Sequence, residues 1–184
     1  MKYFTSDLHL GHKTILTLDK SNRFASMEER NETIINNMFS IPGGSDLYIL
    51  GDLAWYKDNL QEFLLRKPHN IHVHLIMGNH DNRIQHLYNV RGFTTVQETK
   101  WLSKEQLFLC HYPMIAWNRS HANSTQLFGH IHVGTPQPKN LCKQINVNCE
   151  YWNYMPLSFD QIVEVAKTLP DNWDYVELQE MKKQ

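Results

Sequence analysis

Two short apolar runs, Asp46–Leu50 and Ile71–Met77, each stop at a glycine followed at once by residue types that bind metals, Gly51-Asp52 in one case and Gly78-Asn79-His80-Asp81 in the other. Runs of this length rich in Ile, Leu and Val read as buried strands. Side chains set on the turn at a strand's end stand at the rim of a sheet, where a rigid scaffold holds reacting groups. The pattern recurs three more times: Tyr3–Ser6 runs into Asp7-Leu8-His9, Gln106–Cys110 into His111, and Gln126–Phe128 into Gly129-His130-Ile131-His132. Any fold of this chain has to accommodate five strand ends of one chemical kind, and neighbouring strands would bring them together.

The rest of the chain supplies the layers such strands need. Met27–Phe39 carries apolar residues at Met27, Ile34, Ile35, Met38 and Phe39 behind the candidate N-cap Ser26, which predicts a helix ended by Ile41-Pro42-Gly43-Gly44. Helices are also expected over Asn59–Leu65 and Phe159–Lys167, further strands over Thr94–Val96, Lys100–Leu102 and Gln144–Asn148, and surface loops at Lys104-Glu105 and Thr135–Pro138. An α/β first half and a β-rich second half predict an α+β or α/β fold with two mixed sheets packed face to face and flanked by helices. The length of 184 residues fits one domain spanning 1–184.

Composition removes several function classes. A net charge of −1 gives no general pull toward duplex nucleic acid or an anionic membrane, and no stretch approaches the roughly 18 apolar residues of a membrane span. Three cysteines, an odd number with no C-x-x-C spacing, argue against a disulfide framework or a zinc ribbon. The opening MKYFTSDLHLGH lacks the apolar core of a signal peptide, so a cytoplasmic location is expected. Eleven histidines are more than packing or a solvated surface would use, and histidine is the commonest metal ligand.

Taken singly, each of the five fragments is a weak signal. Together and in this order they resemble the calcineurin-like metallophosphoesterase superfamily over residues 7 to 132, and SDLHLGH, the Asn22-Arg23-Phe24 triplet and His111-Tyr112-Pro113 are closer still to its small bacterial and phage phosphoesterases. The resemblance implies a four-layer α/β/β/α fold and a two-metal site, with Asp7, His9 and His132 on one metal, Asn79, His111 and His130 on the other, and Asp52 bridging them. A carboxylate has the lone pairs to face two cations, whereas an imidazole does not. Mixed nitrogen and oxygen ligands suit two divalent transition metals, manganese favoured, with iron, zinc, nickel and cobalt also admitted by the set. Two dications bring about +4, while Asp7, Asp52 and a bridging hydroxide return about −3, leaving a centre that attracts a phosphate ester.

The resemblance further implies hydrolysis of a phosphorus ester by that hydroxide, with His80 above the phosphate and Asp81 accepting the other N–H of the His80 ring. The sequence reads G-D-L-A-W-Y and G-N-H-D where Ser/Thr protein phosphatases read G-D-x-x-D-R-G and G-N-H-E, and where related lipid pyrophosphohydrolases read G-N-R-D. A small phosphodiester such as a nucleotide or cyclic nucleotide is expected as substrate, with a phosphomonoester, or a non-catalytic metal-binding role, as alternatives. His12, Arg23, Trp55 and Arg119 are the candidate substrate-binding residues: His12 follows the first motif, a guanidinium binds phosphate bidentately, and Trp55 and Trp117 are the aromatics expected at the surface. Arg119 and His121 fall in the loop before Gly129. The remaining histidines, His69, His72, His74 and His86, are read as structural.

Overall fold

The strands expected around the motifs form two sheets. In the first, β1 (Lys2–Thr5), β2 (Asp46–Leu50), β3 (His72–Ile76) and β4 (Thr95–Gln97) run parallel in the order β4-β3-β2-β1, with β9 (Leu157–Ser158) antiparallel on the free edge of β1. In the second, the order is β5 (Thr99–Leu102), β6 (Leu107–Cys110), β7 (Thr125–Phe128) and β8 (Gln144–Asn146), parallel except for β5 against β6. The computed structural model describes residues 1–18, 23–83, 89–136 and 142–182, so Asn22, His86, Gln137 and Pro138 lie outside the described residues.

Side-chain alternation along each strand decides the layers. In β2, Leu47 and Ile49 face a core shared with Ile34, Ile35 and Met38 of α2 (Met27–Phe39) and with Leu60 and Phe63 of α3 (Lys57–Arg66). Their neighbours Tyr48 and Leu50 join Phe4 and Ile76 in a second core with Leu107, Leu109, Leu127 and Ile145 of the other sheet. The two sheets therefore pack face to face, and the molecule is a mixed α/β fold of two mixed sheets flanked by helices. Ser26 caps α2 by accepting the Glu29 N–H at 3.1 Å. On the other face of β7, Gln126 accepts the Met114 N–H at 3.0 Å and donates to the Tyr112 carbonyl at 2.8 Å, tying down the loop that leaves β6.

Apart from short 3-10 turns, three elements among the described residues escape the sequence reading: α1 (Ile15–Leu18), the two-residue β9, and α5 (Trp173–Met181). The last buries none of its residues and so lacks the apolar stripe from which a helix is recognised. It is held at its start by Asn172, fully buried, whose Oδ1 accepts the Lys143 N–H at 3.1 Å and whose Nδ2 donates to the carbonyls of Ser120 and Ser124 at 3.0 and 2.8 Å. Before it, α4 (Phe159–Thr168) packs on β1, β8 and β9 behind a capping box in which the Ser158 hydroxyl accepts the Gln161 N–H and the Gln161 side chain accepts the Ser158 N–H. Ser158→Ala removes one half of this box and is expected to lower unfolding stability by about 1 kcal/mol, read as a shift of the urea midpoint at unchanged slope.

Candidate metal centre

Because β1, β2 and β3 are mutually parallel, and so are β6 and β7, the turns that follow them leave each sheet at its carboxyl edge. The turns are stitched to one another through the backbone. The Asp7 N–H donates to the Gly51 carbonyl at 3.0 Å, the His9 N–H to that of Asp52 at 2.9 Å, and the Gly129 N–H to that of His111 at 2.9 Å. Contacts this close leave no room for side chains at the glycines. A Cβ on Gly51, which sits at φ +90°, would strike the His111 ring, and one on Gly129 would strike the Asp7 carboxylate. Asp7, His9, Asp52 and His130 themselves adopt left-handed backbone, with φ of 57°, 45°, 55° and 67°. Non-glycine residues avoid that region, and where they occupy it the surroundings hold them there, as happens at functional sites.

The side chains of all seven expected ligands meet in this space. Asp52 Oδ2 lies 3.6 Å from His9 Nε2 and 3.5 Å from His111 Nε2, while Asp7 Oδ1 lies 3.9 Å from His9 Nε2 and 3.7 Å from His132 Nε2. Two compact sets of potential ligands result, Asp7–His9–His132 and Asp7–Asp52–His111, each with its ligand atoms within 4.8 Å of one another. Asn79 Oδ1 completes the second side, 3.1 Å from both His111 Nε2 and His130 Nδ1. Asp52 stands between the two sides.

Hydrogen bonds from outside the cluster decide which ring atoms point into it. His111 Nδ1 is 2.7 Å from the Leu50 carbonyl, an acceptor only, so Nδ1 carries the proton and the Nε2 lone pair faces Asn79 Oδ1. His132 Nδ1 donates to Glu150 Oε1 at 3.0 Å, which turns Nε2 toward Asp7. His9 Nε2 is buried with no hydrogen-bond partner among the described residues. Lone pairs thus confront lone pairs in a space walled by the buried Asp7, His9, Asp52 and His111 and open to solvent at Asn79 and His130, an arrangement that a cation relieves.

The charges tell the same story. Burial pushes the Asp7 carboxyl up to about 7, against the opposing pull of His132 and of the Ser6 hydroxyl that donates to Oδ2 at 2.6 Å. Burial drives His9 down to about 2, so its ring is neutral and its lone pair open, and burial lowers His111 as well. Burial also works to lower His132, but the hydrogen bond to Glu150 and the charge of Asp7 outweigh it and hold that ring above its ordinary value. Two divalent transition metals fit this donor set: they would replace the proton on Asp7 and occupy the lone pairs of the neutral rings.

His80 projects beside the ligands, its Nε2 3.9 Å from Asp52 Oδ2 and its backbone N–H donating to Asp52 Oδ1 at 2.9 Å. Asp81 does not hold that ring. Its Oδ2 accepts the N–H groups of Gly78 and Asp52 at 2.8 and 2.9 Å, and its Oδ1 accepts that of Leu53 at 3.0 Å. The expected Asp81–His80 pairing is therefore corrected: Asp81 is a buried clasp between the turns after β2 and β3, because two oxygens already engaged by three backbone donors have no call for the imidazole.

The expected substrate contacts divide. His12 and Trp55 belong to the rim, stacked on each other with ring centres 3.6 Å apart, and His12 lies 5.3 Å from His9. Trp55 is not open to a base, since the Arg83 guanidinium covers it at 3.8 Å and two groups so near one ring cannot share a face. Arg23 rests on the Tyr154 ring at 5.2 Å and donates to Asn153 Oδ1 at 3.3 Å. Arg119 is misplaced by the sequence reading. The parallel crossover from β6 returns the chain to the start of β7 before Arg119 is reached, at the end of the strand opposite His130, and the Arg119 carbonyl accepts the Ser124 N–H there. Trp117, expected at the surface, is buried with its Nε1 donating to Ser124 Oγ at 3.0 Å. His74 is structural as expected, bracketed by Asp46 and Thr95. Glu150 and Arg83 went unnoticed. Glu150 lies outside every motif, and Arg83 follows the third motif by two residues without a pattern of its own.

No family model matches the sequence. The chain is 29% identical over 169 residues to the uncharacterized protein MJ1445 of Methanocaldococcus jannaschii, with 90% of each chain covered. Its fold is similar to that of the Aquifex aeolicus protein of unknown function AQ665, seen by crystallography, with a TM-score of 0.65 and 22% identity over 90% of this chain and 98% of that one.

Two outcomes follow from the geometry. Glu150→Ala frees the His132 ring and is expected to weaken manganese binding by about 10- to 100-fold in chelator competition, with Glu150→Gln in between. In metal-free protein, the raised Asp7 pKa means that the protonated acid stabilises the fold below 3.8 and that this stability is lost as the pH rises to about 7. The melting temperature of Asp7→Asn, measured against wild type in EDTA, should therefore shift in the variant's favour across that window and level off above it.

Proposed function

We propose that the chain is a phosphoesterase dependent on two divalent metals, built on the four-layer calcineurin-like plan, and that it hydrolyses a phosphodiester of nucleotide or cyclic-nucleotide size. The observation that carries this reading is the meeting of Asp7, His9, Asp52, Asn79, His111, His130 and His132, delivered by five separate strands, with acceptor atoms turned toward one another and His80 alongside. Asp7, His9 and His132 would hold one metal, Asn79, His111 and His130 the other, with Asp52 shared. Bound there, the metals would supply a water-derived nucleophile near neutral pH and polarise the phosphoryl oxygens.

The protein's own residues do the rest. Asn79, a neutral amide where an aspartate would add negative charge, keeps the centre attractive to an anion. His80, anchored through its backbone to Asp52 and leaning on Trp55 with ring centres 4.8 Å apart, presents its ring to whatever the centre binds. In that position it donates to a phosphoryl oxygen or to the departing one. Asp81 keeps the turns in register. A cytoplasmic location belongs to the same reading; among the described residues no helix is long and apolar enough to cross a membrane.

Hydrolysis of bis-p-nitrophenyl phosphate and of p-nitrophenyl phosphate, each with manganese, nickel, zinc or EDTA, tests the proposal. The expected result is manganese-stimulated diester cleavage, abolished by EDTA and reduced at least about 100-fold in His80→Asn with both metals still bound. Preference for the monoester would make the protein a phosphomonoesterase. Two bound metals with neither ester cleaved would make it a metal-binding member without turnover.

A further inference from the structure

Next to His80 stands a guanidinium that the metal centre does not use. Arg83 ends the short 3-10 turn Asp81–Arg83, its backbone N–H donating to the His80 carbonyl at 3.2 Å. Its side chain is exposed and lies over Trp55 at 3.8 Å, while His12 stacks on the opposite face of the same indole at 3.6 Å and 1°. His80 leans on that indole too, so guanidinium and imidazole are separated by no more than the Arg83–Trp55 and Trp55–His80 distances together. The Arg83 charge is felt at both His80 and His12.

A guanidinium lying flat on an aromatic ring engages its π face and leaves its N–H donors free in the plane, where they match the spacing of phosphate oxygens. Among the described residues Arg83 makes no ion pair. The nearby carboxylates do not supply one: Asp81 is buried with both oxygens engaged by backbone donors, and Asp52 is turned inward between His9 and His111. Arg66, by contrast, is engaged by Glu32 and Glu62. The Arg83–Trp55–His12 stack also fixes in advance a long side chain whose ordering would otherwise oppose binding.

We propose that Arg83 anchors a second phosphate group of the substrate, outside the phosphate at the metal centre, so that the site selects nucleotides carrying two phosphates over those carrying one. This rests on the phosphoesterase reading for the position of the first phosphate. Trp55 serves as the platform that sets the guanidinium's plane.

The test is calorimetric titration of the manganese-loaded protein with thymidine 3′,5′-bisphosphate and with thymidine 5′-monophosphate, for wild type, Arg83→Ala, Arg83→Lys and the exposed control Lys104→Ala. Wild type and Lys104→Ala are expected to bind the bisphosphate at least about tenfold more tightly, the worth of a charge-assisted phosphate contact. Arg83→Ala should reduce that ratio to about unity, and Arg83→Lys, which keeps the charge but not the planar fork, should recover part of it. A ratio near unity in wild type, or one that survives Arg83→Ala, overturns the proposal, as does failure of either nucleotide to bind. Cleavage of bis-p-nitrophenyl phosphate by the same wild-type preparation judges the enzyme separately. An Arg83-dependent preference without cleavage retains the anchor and removes the hydrolase, and cleavage without the preference does the reverse.

Discussion

The two oxygens of the buried Asp81 carboxylate accept backbone N–H groups from Gly78, Asp52 and Leu53, and so lock together the turns that leave two parallel strands. Everything at the candidate centre is built outward from that clasp. It fixes the peptide of Asp52, whose side chain then lies between His9 and His111, and it fixes the turn that carries Asn79 and His80. Burial raises the carboxyl to about 6 even with three donors pointed at it. A group tolerated at that expense, buried between two turns of one sheet, is there because its two acceptor oxygens join the three donors.

Hydrogen bonds from outside the cluster work by a similar logic on the imidazoles. The Leu50 carbonyl on His111 and the Glu150 carboxylate on His132 each consume one ring nitrogen and thereby aim the other. Glu150 is itself positioned, with its Oε2 accepting the Val133 N–H at 3.2 Å and its backbone N–H donating to Asn148 Oδ1 at 2.9 Å. The orientation of the His132 ring after β7 is therefore controlled by the turn after β8, and the two sheets contribute to the candidate centre through their hydrogen bonds as well as through their motifs.

Much of this was legible in the sequence. α2 and β2 have the bounds that periodicity and the Ser26 cap indicate, and the five motif turns converge because their strands lie in parallel neighbourhoods. What was not legible depends on contacts between residues far apart in the chain. Asp81 sits beside His80 in sequence, which invites pairing, yet the backbone donors that claim it come chiefly from a turn some thirty residues earlier. Trp55 is expected at the surface as a substrate contact because nothing local announces that His12 and Arg83 close both faces. Arg119 looked close to Gly129 along the chain, but a parallel crossover has to travel the length of the sheet before the next strand begins. α5 gave no periodic signal because polar contacts at Asn172 secure it in place of an apolar stripe.

The left-handed backbone at Asp7, His9, Asp52 and His130 has an evolutionary reading. Each of these residues forgoes on the order of 1 kcal/mol that glycine would recover at the same dihedral angles. Glycine would relax each turn, but at Asp7 and Asp52 it would also strip the His130 and His80 N–H groups of the carboxylate oxygens that accept them. At these positions the side chain, not the ease of the backbone, decides the residue. An engineer seeking a sturdier scaffold would have to set the relaxed backbone against the lost acceptors, turn by turn.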